Sequence, residues 1–202
     1  MSSINVTVLA YGAGNTASVQ FALERLGATV RLTDDPVAVA QAERLILPGV
    51  GAAGYAMARL SDLGLVEPIR AFSRPLLGIC LGQQLLFETS DEGEEVALLG
   101  LIPGRVARLD PGPALPVPHM GWSLLGSIRS DPLLEGIAAE AWAYFVHSYV
   151  CPDGPATLAR ADYGGPVPAV VRDANRWGCQ FHPERSAAVG ARILRNFLEL
   201  PA

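Results

Sequence analysis

The sequence has few charged residues, no long apolar run and no cluster of basic residues. Only 17% of its 202 residues are charged and half are apolar, which excludes a disordered chain. The mean hydropathy is +0.28, but no stretch approaches the roughly 18 consecutive apolar residues that a membrane-spanning helix needs. The net charge is −5, so we do not expect nucleic acid as a partner.

Cysteine is also scarce. The three cysteines are an odd number at scattered positions, which does not make a disulfide framework. No two His or Cys residues lie at the spacing of metal ligands. The segment MSSINVTVLA lacks the basic start and the long apolar stretch of a signal peptide. We therefore expect a soluble, reduced, cytoplasmic protein with no metal, no cofactor and no membrane association.

The apolar pattern predicts one α/β domain over residues 1–202. In the first half, apolar runs at 4–10, 28–33 and 44–49 alternate with helical patterns, as in parallel strands joined by crossover helices. The second half is rich in Pro and Gly, and its β-like runs are RVARLD, WAYFVHSYV, ATLARA and VPAVVRD. A last helix is predicted at about 186–198. We predict an open, mostly parallel central sheet flanked by helices, with additional antiparallel strands in the second half.

Cys80 follows an apolar run and lies between two glycines, in PLLGICLGQQ. The stretch Gly78-Ile79-Cys80-Leu81-Gly82 has the form G-x-nucleophile-x-G, which is typical of a tight turn between a strand and a helix. A Cβ at either glycine would collide with the neighbouring strand or helix. The helix that follows favours a thiolate electrostatically, and the N–H of Leu81 can point at a developing oxyanion. A buried structural cysteine at a strand end is the open alternative.

Two further segments complete a candidate hydrolytic site. His182 and Glu184 lie in GCQFHPE, and in an extended segment residues i and i+2 point to the same side. Glu184 can therefore hold the His182 ring in one tautomer, as in a nucleophile–base–carboxylate set. The segment LPGVGA (47–52) offers the N–H groups of Val50 and Gly51 as a second oxyanion donor. Alternatively, His182 and Glu184 are a solvated pair in a loop, and LPGVGA is a simple tight turn.

Taken together, LPGVGA, GICLGQQ and QFHPE resemble the class I (triad) glutamine amidotransferases. The motifs YGAGN, VPHMGW and YFVHSY make the chain similar to one subfamily, the glutaminase subunits of imidazole glycerol phosphate synthase, from about residue 5 to the C-terminal helix. The resemblance implies that Cys80 attacks the carboxamide of L-glutamine, that His182 is the base and later the acid, and that Glu184 orients His182. It also implies a heterodimer with a separate (β/α)₈ cyclase subunit. That subunit would use the ammonia to make imidazole glycerol phosphate and AICAR in histidine biosynthesis.

The resemblance further implies roles for the residues around this triad. The oxyanion hole would be formed by Leu81, Val50 and Gly51. The glutamine pocket would be lined by Gln84, Gly51, His147, Ser148 and Tyr149. The side that faces the cyclase would carry Asn15, Trp122, Tyr144 and Arg185. Simple packing is the alternative for His119 and Trp122, and His147 is expected to line the pocket or to be structural rather than to act as a second base.

Four positions depart from the pattern of that subfamily. Gln83 stands where Met is usual, which alters the packing behind the nucleophile, and Ala10 replaces a frequent Asp. Ser123 stands where Asn is common, and Arg185 stands where Lys is common. We expect Ser123 and Arg185 to bear on contacts with the partner. None of the four belongs to the triad.

Other functions stay open at this point. A glutaminase for pyridoxal phosphate, anthranilate or GMP synthesis is disfavoured by PHMGW and YGAGN. An intracellular cysteine peptidase of related fold is disfavoured by a carboxylate only two residues after the histidine. A non-catalytic regulatory module is disfavoured by the intact set of Cys, His and Glu.

Overall fold

The computed structural model describes residues 4–201, in which strands and helices alternate at first and strands dominate later. The strands are β1 (Asn5–Leu9), β2 (Thr29–Thr33), β3 (Leu45–Gly49), β4 (Leu76–Cys80), β5 (Thr89–Ser90), β6 (Val96–Ala97), β7 (Arg105–Arg108), β8 (His119–Leu124), β9 (Trp142–His147), β10 (Tyr149–Val150), β11 (Thr157–Asp162), β12 (Pro166–Asp173) and β13 (Arg176–Cys179). The helices are α1 (Thr16–Arg25), α2 (Pro36–Gln41), α3 (Ala53–Asp62), α4 (Val66–Arg70), α5 (Leu81–Leu85) and α6 (Ala187–Glu199), with short 3₁₀ helices at Pro132–Leu134 and Pro183–Arg185. None of the helices within residues 4–201 is long and apolar enough to cross a membrane.

Seven strands form the central sheet in the order β11-β12-β13-β4-β3-β1-β2. The five strands from β13 to β2 run parallel, whereas β11 and β12 pair in antiparallel fashion. The mostly parallel sheet predicted from the sequence, with antiparallel strands from the second half, is therefore confirmed. Gly49 at the end of β3 lies opposite Cys80 at the end of β4, and β13 ends beside them at Cys179. Open α/β sheets bind ligands at this carboxyl edge.

Two smaller sheets accompany the central one, a four-stranded sheet in the order β10-β7-β5-β6 and the two-stranded sheet β8-β9. The run WAYFVHSYV, predicted as one β segment, is divided at Ser148 because β9 pairs with β8 and β10 pairs with β7. Strand β8 and helix α2 were not predicted. The start signal of α2 was present in the sequence, since Asp35 caps the helix and Pro36 is its first residue.

Buried apolar clusters cover both faces of the central sheet. Val8, Ile46 and Ile79 belong to one cluster, whereas Leu47 and Leu76 belong to the other. Successive residues of a strand point to opposite faces, so a parallel strand covered on both sides is apolar along its whole length. This explains why the runs that lead to the carboxyl edge are unbroken apolar sequences.

The buried carboxylate of Asp131 connects a loop to the central sheet. Its side chain is 2% exposed, and it accepts hydrogen bonds from the Leu133 N–H at 2.8 Å and from Trp177 Nε1 at 3.0 Å. The Arg172 guanidinium completes the set at 2.7 Å and lies over the Trp177 ring. A buried carboxylate with three donors is stabilising as long as the set is complete, because removing one partner leaves the others unpaired.

We expect Asp131→Ala to lower the free energy of unfolding by about 2–3 kcal/mol, because the Trp177 N–H and the Arg172 guanidinium lose their acceptor. Urea unfolding measures this change. The matched control is Asp62→Ala, which removes a carboxylate 70% exposed and 3.8 Å from Arg59; that change should cost less than about 0.5 kcal/mol. Equal losses in the two variants would contradict the role given to Asp131.

Candidate active site

Cys80 has a backbone conformation that few residues with a side chain adopt, with φ 55° and ψ −110°. It ends β4, and α5 begins at the next residue. A Cβ on Gly78 would overlap the backbone of Gly82, and a Cβ on Gly82 would overlap the carbonyl of Leu47. The expectation that both flanking positions need glycine is therefore confirmed. Strained residues of this kind cluster at active sites, so Cys80 is placed where a nucleophile would be.

His182 follows β13 and contacts Glu184. Nδ1 of His182 lies 2.8 Å from Oε1 of Glu184, and the two side chains are 6% and 1% exposed. The predicted contact is present, but its local cause differs, because Glu184 lies in the 3₁₀ helix Pro183–Arg185 rather than in an extended segment. An ionised carboxylate only accepts hydrogen bonds, so Nδ1 carries the proton and Nε2 is left to face a reacting group.

The environment of His182 favours its protonated form. Burial alone lowers the pKa of His182, but its interactions with Cys80 and with the Glu184 carboxylate outweigh burial and raise the pKa to about 10. Nε2 is buried and makes no hydrogen bond of ordinary geometry to any described residue. The three side chains can thus hold a thiolate–imidazolium pair, the reactive state of a cysteine nucleophile.

A cavity of about 410 Å³ lies beside Cys80, within the size range of small-ligand sites. It brings together most of the residues singled out in the sequence, namely Asn15, Val50, Gly51, Cys80, Leu81, Gln84, His147, Ser148, Tyr149, His182 and Arg185. Glu184, Trp122 and Tyr144 are not among its lining residues. Glu184 instead contacts His182, on whose ring it acts. Among the described residues, no group of His, Cys, Asp and Glu is arranged to hold a metal ion.

The sequence reasoning missed one polar residue that lines the cavity and one that is buried behind its lining. Glu92 lines the cavity and accepts a hydrogen bond from the Ala53 N–H at 2.6 Å. Gln180 is fully buried and accepts from Gln84 Nε2 at 3.1 Å, while its own Nε2 lies 3.9 Å from the sulfur of Cys80. Glu92 belongs to the acidic stretch DEGEE, in which only the tertiary structure distinguishes one carboxylate from its neighbours. Gln180 lies in QFHPE, two residues before His182, and this closeness to the candidate base could have identified it as a site residue.

The two candidate oxyanion donors differ in this structure. Leu81 is the first residue of α5, so its N–H has no acceptor within the helix. The N–H of Val50 donates to the carbonyl of Ala13 at 2.9 Å and is not available to a ligand in this conformation. The Tyr11 hydroxyl donates to the carbonyl of Pro48 at 2.9 Å. The YGAGN turn therefore holds the LPGVGA segment at two points.

The sheet β8-β9 has an exposed face that is almost entirely apolar. By register, this face carries Met120, Trp122, Leu124, Trp142, Tyr144 and Val146, and we refer to these six residues as the apolar face. Met120, Trp122 and Trp142 are 62%, 49% and 52% exposed. Contiguous exposed apolar surface of this kind marks an interaction site.

The residues expected at the partner interface fall into two places. The Trp122 ring lies 5.9 Å from the Tyr144 ring, and the Arg185 guanidinium lies 5.2 Å from the centre of the same Tyr144 ring. These three side chains form one contiguous group that includes part of the apolar face. Asn15 is elsewhere on the cavity wall, where its side chain caps α1 through the Ser18 N–H.

The chain belongs to the glutamine amidotransferase class-I family, whose sequence model matches residues 7–200. It is 54% identical over 197 residues to the imidazole glycerol phosphate synthase subunit HisH of Xylella fastidiosa (strain Temecula1), with 98% of each chain covered. It is 53% identical over 196 residues to the subunit of the same name from Xanthomonas euvesicatoria pv. vesicatoria, covering 97% of this chain and 98% of the relative. The family resemblance inferred from the motifs is thus confirmed.

Solved structures agree with the family. A crystal structure of a glutamine amidotransferase aligns with a TM-score of 0.75 and 25% identity, over 96% of this chain and 97% of the other. The structure of PurLQS from Thermotoga maritima aligns with a TM-score of 0.69 over 98% of both chains. At 20% identity the second match shows a shared fold alone.

Cys80→Ala should lower the pKa of His182, because the variant removes the thiol group whose interactions with the ring oppose the effect of burial. In the unchanged protein the ring should stay protonated well above pH 7. NMR titration of the imidazole carbon-bound protons measures this, and three histidines make assignment simple. The control is Cys151→Ala, which removes a buried thiol that does not contribute to the pKa of His182. An identical His182 titration in Cys80→Ala would show that the two groups are not coupled.

Proposed function

We propose that this chain is the glutaminase subunit of an imidazole glycerol phosphate synthase. It hydrolyses L-glutamine to glutamate and ammonia, and it passes the ammonia to a cyclase subunit that makes imidazole glycerol phosphate and AICAR for histidine biosynthesis. The observation that carries the proposal is the set Cys80, His182 and Glu184 at one edge of the sheet, beside a cavity of about 410 Å³. The 54% identity of this chain to a HisH subunit, over 98% of its length, supports the proposal.

In the first half of the reaction, the Cys80 thiolate attacks the carboxamide carbon of glutamine and forms a carbon–sulfur bond. The Leu81 N–H donates to the oxyanion that develops. When this intermediate collapses, the carbon–nitrogen bond breaks and His182 gives its proton to the departing ammonia. A γ-glutamyl thioester remains. Water that loses a proton to His182 then releases glutamate, while Glu184 keeps the ring in one tautomer.

The cavity also offers groups that suit the amino-acid end of glutamine. Both donor positions of the Gln84 amide nitrogen are engaged, with the Tyr149 carbonyl at 3.0 Å and Gln180 Oε1 at 3.1 Å. Gln84 therefore presents its oxygen to a ligand, and an oxygen accepts hydrogen bonds from an amine. The Glu92 carboxylate complements the positive charge of an α-ammonium group. Ser148 lines the same cavity.

The apolar face is the surface on which we place the cyclase, a separate subunit with a (β/α)₈ fold. Arg185 both lines the cavity and lies over Tyr144 of the apolar face, so a partner seated there would border the mouth of the cavity. Ammonia could then reach the partner without crossing bulk water. Asn15, on the cavity wall, would lie at the rim of this contact. We also propose a single domain over residues 1–202 and a cytoplasmic location, which the three unpaired cysteines support.

In the complex with its cyclase, Cys80→Ser should lower glutamine-dependent synthesis by about a thousandfold or more, because a hydroxyl does not form a stable anion beside His182. Synthesis with ammonium salt at alkaline pH should continue, since ammonia then enters without hydrolysis of glutamine. Product formation with each nitrogen source measures both activities. Cys151→Ala is the control and should keep both. Retained use of glutamine by Cys80→Ser would refute the assignment of the nucleophile.

The chain on its own should be a poor glutaminase. The N–H of Val50 is bonded to Ala13, and loss of one oxyanion donor costs roughly 10²–10³ in turnover. Gly49 and Gly51 flank Val50, and Gly51 already has φ 91°, so the peptide planes on either side of Val50 can rotate once the hydrogen bond to Ala13 is broken. We expect the liganded cyclase to favour the rotated form.

Glutaminase rates of the isolated chain, of the unliganded pair and of the pair with its ribotide ligand test this switch. The same three samples made with Cys80→Ala define the background. An isolated chain as fast as the liganded pair would contradict the switch and would weaken the assignment to this synthase.

A further inference from the structure

A chain of buried hydrogen bonds runs from strand β8 to the wall of the cavity. The Ser123 hydroxyl lies 2.8 Å from Nε2 of His119, and Nδ1 of His119 lies 3.0 Å from Nε2 of His147. Nδ1 of His147 lies 2.8 Å from the carbonyl oxygen of Tyr149. His119 and His147 are 1% and 6% exposed. Ser123 therefore contacts a buried histidine, and the expectation that it bears on partner contacts stays a prediction.

The same carbonyl oxygen connects this chain to the side chains around the nucleophile. It accepts a second hydrogen bond from Nε2 of Gln84, at 3.0 Å. Gln84 also donates to Oε1 of Gln180, whose Nε2 lies 3.9 Å from the sulfur of Cys80. The Tyr149 carbonyl is thus the point at which the two histidines meet the amide side chains of the pocket.

With both rings neutral, the protons of this chain have a single arrangement. A carbonyl oxygen can only accept, so Nδ1 of His147 carries a proton and its Nε2 accepts. His119 must then donate from Nδ1, and its Nε2 accepts from the Ser123 hydroxyl. Burial lowers the pKa of both histidines to about 4, so both rings are neutral near pH 7.

The ring of His119 is also held in place by stacking. It lies between the rings of Phe145 and Tyr163, with centroids 4.8 and 3.9 Å away and planes within 20° of parallel. His119 therefore has a fixed orientation as well as a fixed tautomer. Its strand also carries Met120 and Trp122 of the apolar face, which point to the opposite side of the sheet.

We propose that His119 is a positioning residue for the glutamine pocket, which acts through His147 on the Tyr149 carbonyl and so fixes the position of the Gln84 amide that donates to the same carbonyl. The inference rests on the proposed function. If His147 loses its donor, its ring can turn or change tautomer and the Tyr149 carbonyl loses one of its two partners. The carbonyl can then shift, and the Gln84 side chain that donates to it moves away from the position in which its oxygen suits an α-ammonium group.

Two substitutions of His119 separate positioning from packing. His119→Phe keeps an aromatic ring between Phe145 and Tyr163 but has no donor for His147. His119→Asn places an amide N–H close to the position of the original Nδ1. In the complex with the cyclase, we expect His119→Phe to raise the KM for glutamine about tenfold, as for loss of one buried hydrogen-bond partner. The kcat should change by less than about threefold, and His119→Asn should recover most of the KM.

A purely structural role would lower the melting temperature of both variants and leave the KM of each unchanged. An unchanged KM in His119→Phe, or no recovery in His119→Asn at equal melting temperature, would overturn the proposal.

Imidazole ¹⁵N spectra of the isolated chain give a readout that needs no activity. They should show both histidines neutral, with the proton on Nδ1 in each, and a change at His147 in His119→Phe. A proton on Nε2 of His147 in the unchanged chain would overturn the inference, whatever the activity. Absence of glutaminase activity in the unchanged complex, with both tautomers as stated, would instead refute the proposed function. The two failures are therefore distinguishable.

Discussion

The close approach of α5 to strands β3 and β4 is the constraint on which the rest of the site depends. The helix begins so near the sheet that neither Gly78 nor Gly82 has room for a Cβ. At this turn Cys80 has a positive φ of 55°, which is unfavourable for a residue with a side chain. The cost of that conformation is met by the packing of the buried apolar strands on both sides. As a result, the thiol and the first N–H of α5 lie side by side at the carboxyl edge of the sheet.

The three buried histidines have pKa values that are shifted in opposite directions, although they lie close together. His119 and His147 are buried among rings, a hydroxyl and a carbonyl, and burial lowers the pKa of each to about 4. His182 is buried beside Cys80 and Glu184, and its interactions with these two groups raise its pKa to about 10. The difference comes from the neighbours rather than from the extent of burial. One site thus contains an imidazole with a raised pKa, which suits proton transfer, and two with lowered pKa values, which suit fixed hydrogen bonds.

The small sheet β8-β9 joins two surfaces of the molecule that have different roles. One side carries the apolar face, and the other side carries His119, Phe145 and His147, which are buried. A two-stranded sheet depends on its surroundings for stability, and here the buried side is held by stacking and by hydrogen bonds that reach the cavity. The surface that would meet a partner and the wall of the pocket are therefore opposite faces of the same two-stranded sheet.

The sequence by itself determined the order of strands and helices in the first half, because unbroken apolar runs and helical spacing are local patterns. It also determined the nucleophile turn, since the glycines on either side of Cys80 have a steric cause that is readable in five residues. The pairing of His182 with Glu184 was readable as well, although a 3₁₀ turn rather than an extended segment produces it. The interruption of WAYFVHSYV at Ser148 was not readable, because pairing with two different sheets depends on distant strands.

Only the tertiary structure decided which polar groups meet at the cavity. Glu92 could not be told from the other carboxylates of DEGEE until the Ala53 N–H was found beside it. Val50 was recognisable as a candidate donor, but its engagement with Ala13 depends on how the YGAGN turn packs. The contact of His119 with His147 joins residues 28 positions apart. Local sequence determines what a segment can offer, whereas the partner of a buried polar group is set by the packing of remote segments, and that information is not contained in any short stretch of the chain.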